Sequence, residues 1–151
     1  MIAPARSTRQ RKQDALTRLA EDVDAWVATA DGELGLPYLV PLSYLWDGSV
    51  LLVAVPASSR TSRNLQGTGK VRVGIGPTRD VILVDGEAQA LAASELPAEV
   101  GDAFAVKTGF DPRQLDTPYL YFRITPRRVQ AWREANELEG RELMRDGRWV
   151  V

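Results

Sequence analysis

Arg60 and Arg63 lie one helical turn apart, interleaved with Ser58, Ser59, Thr61 and Ser62. Guanidinium groups grip oxyanions through paired N–H donors, and hydroxyls add further donors. The first turn of a helix adds unpaired backbone N–H groups and the positive end of the helix dipole. Together these make an oxyanion site, with phosphate as the natural occupant. The surrounding stretch, residues 49–79, contains five basic residues (Arg60, Arg63, Lys70, Arg72, Arg79) and no acidic one, in a chain with 20 carboxylates.

Other chemistries are closed off by composition. The chain has neither cysteine nor histidine, which rules out disulfides, thiolate or imidazole zinc sites, histidine-ligated haem and Ser-His-Asp triads. A net charge of −1 builds no global field for nucleic acid. An oligonucleotide-binding barrel would also need an aromatic and basic strand face, which is poorly met. Asp85 and Glu87 share a strand face but read as exposed barrel surface rather than an acid–base pair. With no nucleophile or general base in evidence, any redox chemistry would belong to a cofactor, with the polypeptide supplying placement and a dry pocket. No apolar run approaches the ~20 residues of a membrane span, and the start lacks a signal-peptide core, so a soluble, cytoplasmic protein without membrane or nucleic-acid partners is expected.

The phosphate-type turn must be positioned by the elements around it. One domain spanning residues 1–151 is expected, with a frayed tail and a helix over residues 1–21 and an extension over 134–151. Leu16, Leu19, Val23 and Trp26 recur at helical spacing from about Ser7, and the basic run Arg6, Arg9, Arg11, Lys12 reads as a solvated helix face. Strands are predicted over 26–29, 36–46, 50–55, 70–75, 81–91, 119–125 and 128–133, with helices over 58–66 and 97–107. Pro41 argues for an edge strand, Asp47-Gly48 for a hairpin, and Gly86 for a bulge or barrel corner. The apolar run 50–55 implies burial on both faces. Trp149 should dock the C-terminal end, and Trp132 and Trp149 read as core or dimer packing. The fold class is mainly β (α+β): a six- to seven-stranded antiparallel split barrel with two or three flanking helices.

The order of these segments resembles the pyridoxamine 5'-phosphate oxidase-like split-barrel family, whose members bind FMN or a related deazaflavin. The resemblance runs from Asp22 to Trp132. It rests on Trp26-Val-Ala-Thr29, Pro37-Tyr-Leu-Val-Pro-Leu-Ser43, Ser59-Arg-Thr-Ser-Arg-Asn-Leu65, Val71-Arg-Val-Gly-Ile75, Asp85-Gly-Glu-Ala88 and Tyr121-Phe-Arg-Ile-Thr-Pro126-Arg-Arg-Val-Gln-Ala-Trp132. The Gly-Arg-Trp ending is similar to actinobacterial members.

The resemblance implies a homodimer with a cofactor at each subunit seam, acting on a small conjugated molecule as a flavin- or deazaflavin-dependent oxidoreductase. Ser59, Arg60, Thr61 and Arg63 would contact phosphate. Pro41, Leu42, Ser43, Ala54 and Val55 would line the ring or ribityl chain, and the partner's copy of Trp132 or Trp149 would cover an edge. Many members have Ser-Arg-Lys where this chain has Ser59-Arg60-Thr61, so Arg63 would supply the missing cation. Lacking histidine, the chain departs from the vitamin B6 enzymes themselves. The cofactor is FMN or the 8-hydroxy-5-deazaflavin coenzyme F(420). A non-catalytic carrier of a flavin, deazaflavin or tetrapyrrole is the alternative.

Overall fold

A computed structural model describes all 151 residues. The first helix, α1 (Thr8–Glu21), starts at Ser7, whose hydroxyl accepts from the Gln10 N–H, and stops at Asp22. Val23 and Trp26 therefore fall outside it, contrary to the helical spacing. Trp26 stands on the first strand and is 55% exposed. The tail and its basic run also depart from expectation. Arg11 is buried and donates to the carbonyls of Glu137 and Glu139. Arg6, far from being frayed, grips the buried carboxylate of Glu137 through its backbone N–H, Nε and Nη2.

The strands follow as β1 (Asp24–Ala30), β2 (Pro37–Ser43), β3 (Leu45–Trp46), β4 (Leu51–Pro56), β5 (Lys70–Ile75), β6 (Val81–Leu91), β7 (Tyr119–Trp132), β8 (Glu142–Arg145) and β9 (Arg148–Trp149). Helix α2 (Arg60–Thr68) joins β4 to β5, and α3 (Ala98–Thr108) joins β6 to β7. All pairings are antiparallel, in the order β2-β1-β5-β6-β7-β4-β3, with the β8–β9 hairpin attached to β7. The sheet curls on itself, and β2 and β4 lie side by side without a hydrogen-bonded ladder between them. That unzipped seam is the split of the barrel. Its β2 side is an edge, which tolerates Pro41.

Inward-facing Val27, Val53, Val55, Val73, Ile75, Ile82, Val84, Phe122, Ile124 and Val129 fill the barrel, plugged by Leu65 from α2 and Leu19 from α1. Each such side chain contributes ~1.5–3 kcal/mol on burial. Helix α3 covers the opposite face of β4 and β7, where Phe104 meets Tyr121 edge-on at 5.6 Å beside Leu52, Ala54 and Leu91. With the barrel core on one side and α3 on the other, β4 is buried on both faces, as its unbroken apolar run implies.

One feature of the C-terminal half differs from the sequence reading. The strands expected over 119–125 and 128–133 are one continuous β7 that passes straight through Pro126. The register between β6 and β7 shifts between Asp85 and Gly86, opposite Pro126, so the residue without an N–H sits where the ladder is interrupted anyway. Gly86 is required there, since a Cβ would stand 2.7 Å from the Thr125 carbonyl oxygen. The chain then ends in the β8–β9 hairpin, turned by Asp146 and Gly147 at positive φ. Trp149 docks as anticipated, with the Lys12 ammonium 5.0 Å from its ring centre.

Candidate functional site

The turn that opens α2 sits at the mouth of the split. Ser59 is its N-cap: extended backbone directs the hydroxyl to accept from the Ser62 N–H at 3.2 Å. The helix runs through Gly67 and ends at Gly69, which adopts the left-handed conformation. One face, Thr61, Ser62, Asn64 and Leu65, is buried against the barrel, and Asn64 donates to the Thr29 hydroxyl. Helical spacing throws Arg60 and Arg63 onto the other face, where both are exposed.

Their surroundings decide what they can do. The Arg60 guanidinium lies 5.5 Å from the ring centre of Tyr38, a position worth ~0.5–1 kcal/mol at an exposed site. The Arg63 guanidinium donates to the Ser58 carbonyl. Neither is in an ion pair, whereas Arg72 is bound to Asp85 and Arg79 to Glu134. The acid-free stretch in sequence is therefore not acid-free in space. Two of its five cations are already matched by carboxylates from elsewhere, and the two left free on α2 are those that begin the helix. Asp31 stands near enough to feel Arg60. Its carboxyl is held below the usual range mainly by the N–H groups of Leu34 and Glu33, with Arg60 adding to this.

Of the four phosphate candidates, Ser59, Arg60 and Arg63 share this corner. Thr61 does not present its side chain, being only 2% exposed. The five ring candidates present no common side-chain face. Pro41 is exposed on the outside of β2, Ser43 bonds Asp24, and Leu42 packs inward. Val55 points into the barrel core and Ala54 beneath α3. What they share is backbone. β2 is paired only with β1, and β4 beyond Leu52 only with β7, so both strands have free edges along the split. Trp132 has the Arg141 guanidinium over its ring and Trp149 is held by Lys12.

The fit to a phosphorylated, planar cofactor is thus partial but coherent. Two unmatched guanidiniums and a capped helix start suit the phosphate, while the parted strand edges suit a flat ring through N–H and carbonyl contacts. The sequence reading did not foresee Tyr38 as the platform under Arg60. Its signal was the strand alternation that puts Tyr38 opposite Thr29, beside the inner start of α2.

No protein-family model and no curated protein matches the sequence. Solved structures do match. An FAD-binding protein from Mesorhizobium loti superposes with a TM-score of 0.64 at 21% identity, over 85% of this chain and 94% of its own. A heme binding protein from Mycobacterium smegmatis gives a TM-score of 0.70 at 20% identity, over 97% of this chain and 60% of that one. An F(420) reductase gives 0.60 at 15% identity, over 75% and 93%. A candidate pyridoxamine 5'-phosphate oxidase from Listeria innocua also matches.

The fold is that of the pyridoxamine 5'-phosphate oxidase-like split barrels. At these identities the likeness establishes the architecture, and the chemistry has to be argued from the residues. No helix is long and apolar enough to cross a membrane.

Proposed function

We propose that this split barrel holds a flavin-type cofactor, FMN or the deazaflavin coenzyme F(420), and serves as an oxidoreductase toward a small conjugated molecule. The observation that carries this reading is the pair of arginines at the start of α2, free of any carboxylate partner, beside the parted edges of β2 and β4. Arg60, Arg63, the Ser59 hydroxyl and the backbone N–H groups of the first turn would hold the phosphate. Backbone along Pro41, Leu42, Ser43, Ala54 and Val55 would flank the ring. When bound, the cofactor supplies hydride or electron transfer, and the polypeptide supplies binding, orientation and exclusion of water.

A second copy of the chain completes the proposal. Trp26, Leu39 and Pro41 form an exposed apolar strip on the outer face of β1 and β2, with Trp26 directly opposite Pro41. Burying that strip against its own copy would cover the split and seal the cofactor. A non-catalytic carrier, of a flavin or a tetrapyrrole, is the second reading, and it draws on the match to a heme binding protein.

The test is an absorbance spectrum after incubation with FMN, coenzyme F(420) or haem, followed by removal of unbound material. Retention of either flavin at micromolar concentration supports the first reading, and haem retention alone supports the second. Reduction of the bound flavin by a cellular electron donor separates an enzyme from a carrier.

A further inference from the structure

The outer face of β1, β5 and β6 carries a groove of about 560 Å³, a volume in the range of small-molecule sites. Its lining reaches Thr68 at the far end of α2 and Thr29, but includes none of Ser59, Arg60 and Arg63. Its hollow comes from the small side chains of Ala28 and Ala30 on β1, beside the long side chains of Lys70 and Arg72 on β5. Register then sets charges around it. Ala28 is opposite Arg72, Arg72 opposite Asp85, and Lys70 opposite Glu87, while Arg127 enters from β7 beside the bulge.

These charges are unequally satisfied. Arg72 and Asp85 neutralise each other through Nε and Nη2 on the two carboxylate oxygens. Lys70 and Arg127 take part in no ion pair and make no side-chain hydrogen bond, leaving Glu87 as the one unmatched carboxylate against two unmatched cations. The Arg127 guanidinium is steered by the C-terminal hairpin, lying 3.0 Å from where a Cβ on Gly147 would stand. Small floor residues admit a flat body, the Arg72 guanidinium offers a planar surface, and two free cations at the rim call for negative charge.

We infer that this groove is a binding site, separate from the α2 corner, for a planar aromatic or conjugated acid, whose anionic group is taken by Lys70 and Arg127 while its apolar body lies over Ala28 and Ala30. Glu87 sets the upper limit on how much negative charge the ligand brings.

The test uses 2-naphthoate as probe and 2-naphthamide as its uncharged counterpart, followed by amide chemical shifts in the full chain. Naphthoate should perturb Ala28, Ala30, Arg72 and Gly86 in a saturable way and bind at least about fivefold more tightly than naphthamide. Replacing Lys70 and Arg127 together by Ala should weaken naphthoate about tenfold and leave naphthamide unchanged. Glu87→Gln should tighten naphthoate, while the Arg60→Ala/Arg63→Ala variant should bind it like the parent. Shifts centred elsewhere, equal affinity for the two probes, or loss of naphthoate binding in the α2 variant would each overturn the inference. Because cofactor uptake is read separately by absorbance, failure here leaves the cofactor proposal standing, and the reverse holds too.

Discussion

Arg6 and Arg60 are the same residue type near a helix start, yet they occupy opposite situations. Arg6 is one-tenth exposed and closes on Glu137, with Asp14 on its other nitrogen and Asp80 at 3.8 Å. Glu137 in return accepts from the backbone N–H groups of Arg6 and Arg133, so its buried charge is fully matched. Arg60 and Arg63 have exposure, an aromatic platform and a carbonyl, but no acid. A matched guanidinium is spent on holding the chain together, whereas an unmatched one at a cleft remains available to a ligand.

The contrast can be broken most severely at Glu137. Glu137→Ala should cost about 2–3 kcal/mol by urea denaturation, because it removes the buried carboxylate that accepts three N–H groups of Arg6 and leaves Asp14 as that guanidinium's one close partner. Arg60→Ala/Arg63→Ala should leave the same curve unmoved, and a comparable loss there would erase the distinction.

Acid offers a graded version. The hydrogen bonds from Arg6 hold the Glu137 carboxyl down at about 2, against 4.5 for the free group. A lowered folded-state pKa gives stability that is complete above 4.5 and disappears as pH falls towards 2. The loss from this group should reach about 3 kcal/mol, read as a falling denaturation midpoint across that window.

On the ligand side, the double alanine variant should lower FMN or coenzyme F(420) affinity by more than about tenfold, each charge-assisted bond being worth ~1.5–3 kcal/mol. Ser59→Ala, which removes the cap without touching either guanidinium, should cost ~1 kcal/mol of stability, and Ser59→Gly only a few tenths. The smallest effect is expected at Arg79→Ala. Its pair with Glu134 is matched but exposed, and no measurable change in the denaturation midpoint should follow. A large change would mean that matching alone, without burial, stabilises this fold.

Much of the architecture was readable because its causes are local. Alternation marked β5 and β6, the unbroken apolar run marked the doubly buried β4, and the hydroxyls before Arg60 marked a capped helix. Gly86 announced its bulge. Pro126 misled because a proline's tolerance depends on the partner strand's irregularity, which lies forty residues upstream in sequence. The N-terminal arginines misled for the same reason, since Arg6 and Arg11 are held by a turn 131 and 126 residues away. At the candidate site, residue types identified the corner, and strand alternation already set Ala54 and Val55 on opposed faces, but the burial of Thr61 emerged only once α2 had packed. Arg127 reached the outer groove through the continuity of β7, which no local pattern reveals.

The Arg6–Glu137 clamp also bears on how the protein is made. A ribosome must deliver another 131 residues after Arg6 before Glu137 exists to meet it, so α1 waits through that stretch of synthesis with Leu19 lacking the barrel it will plug. During that interval the curled sheet can assemble without its lid. Closure by α1 is then a late event, and weakening the clamp should show itself first as nascent chains that are slow to escape chaperones.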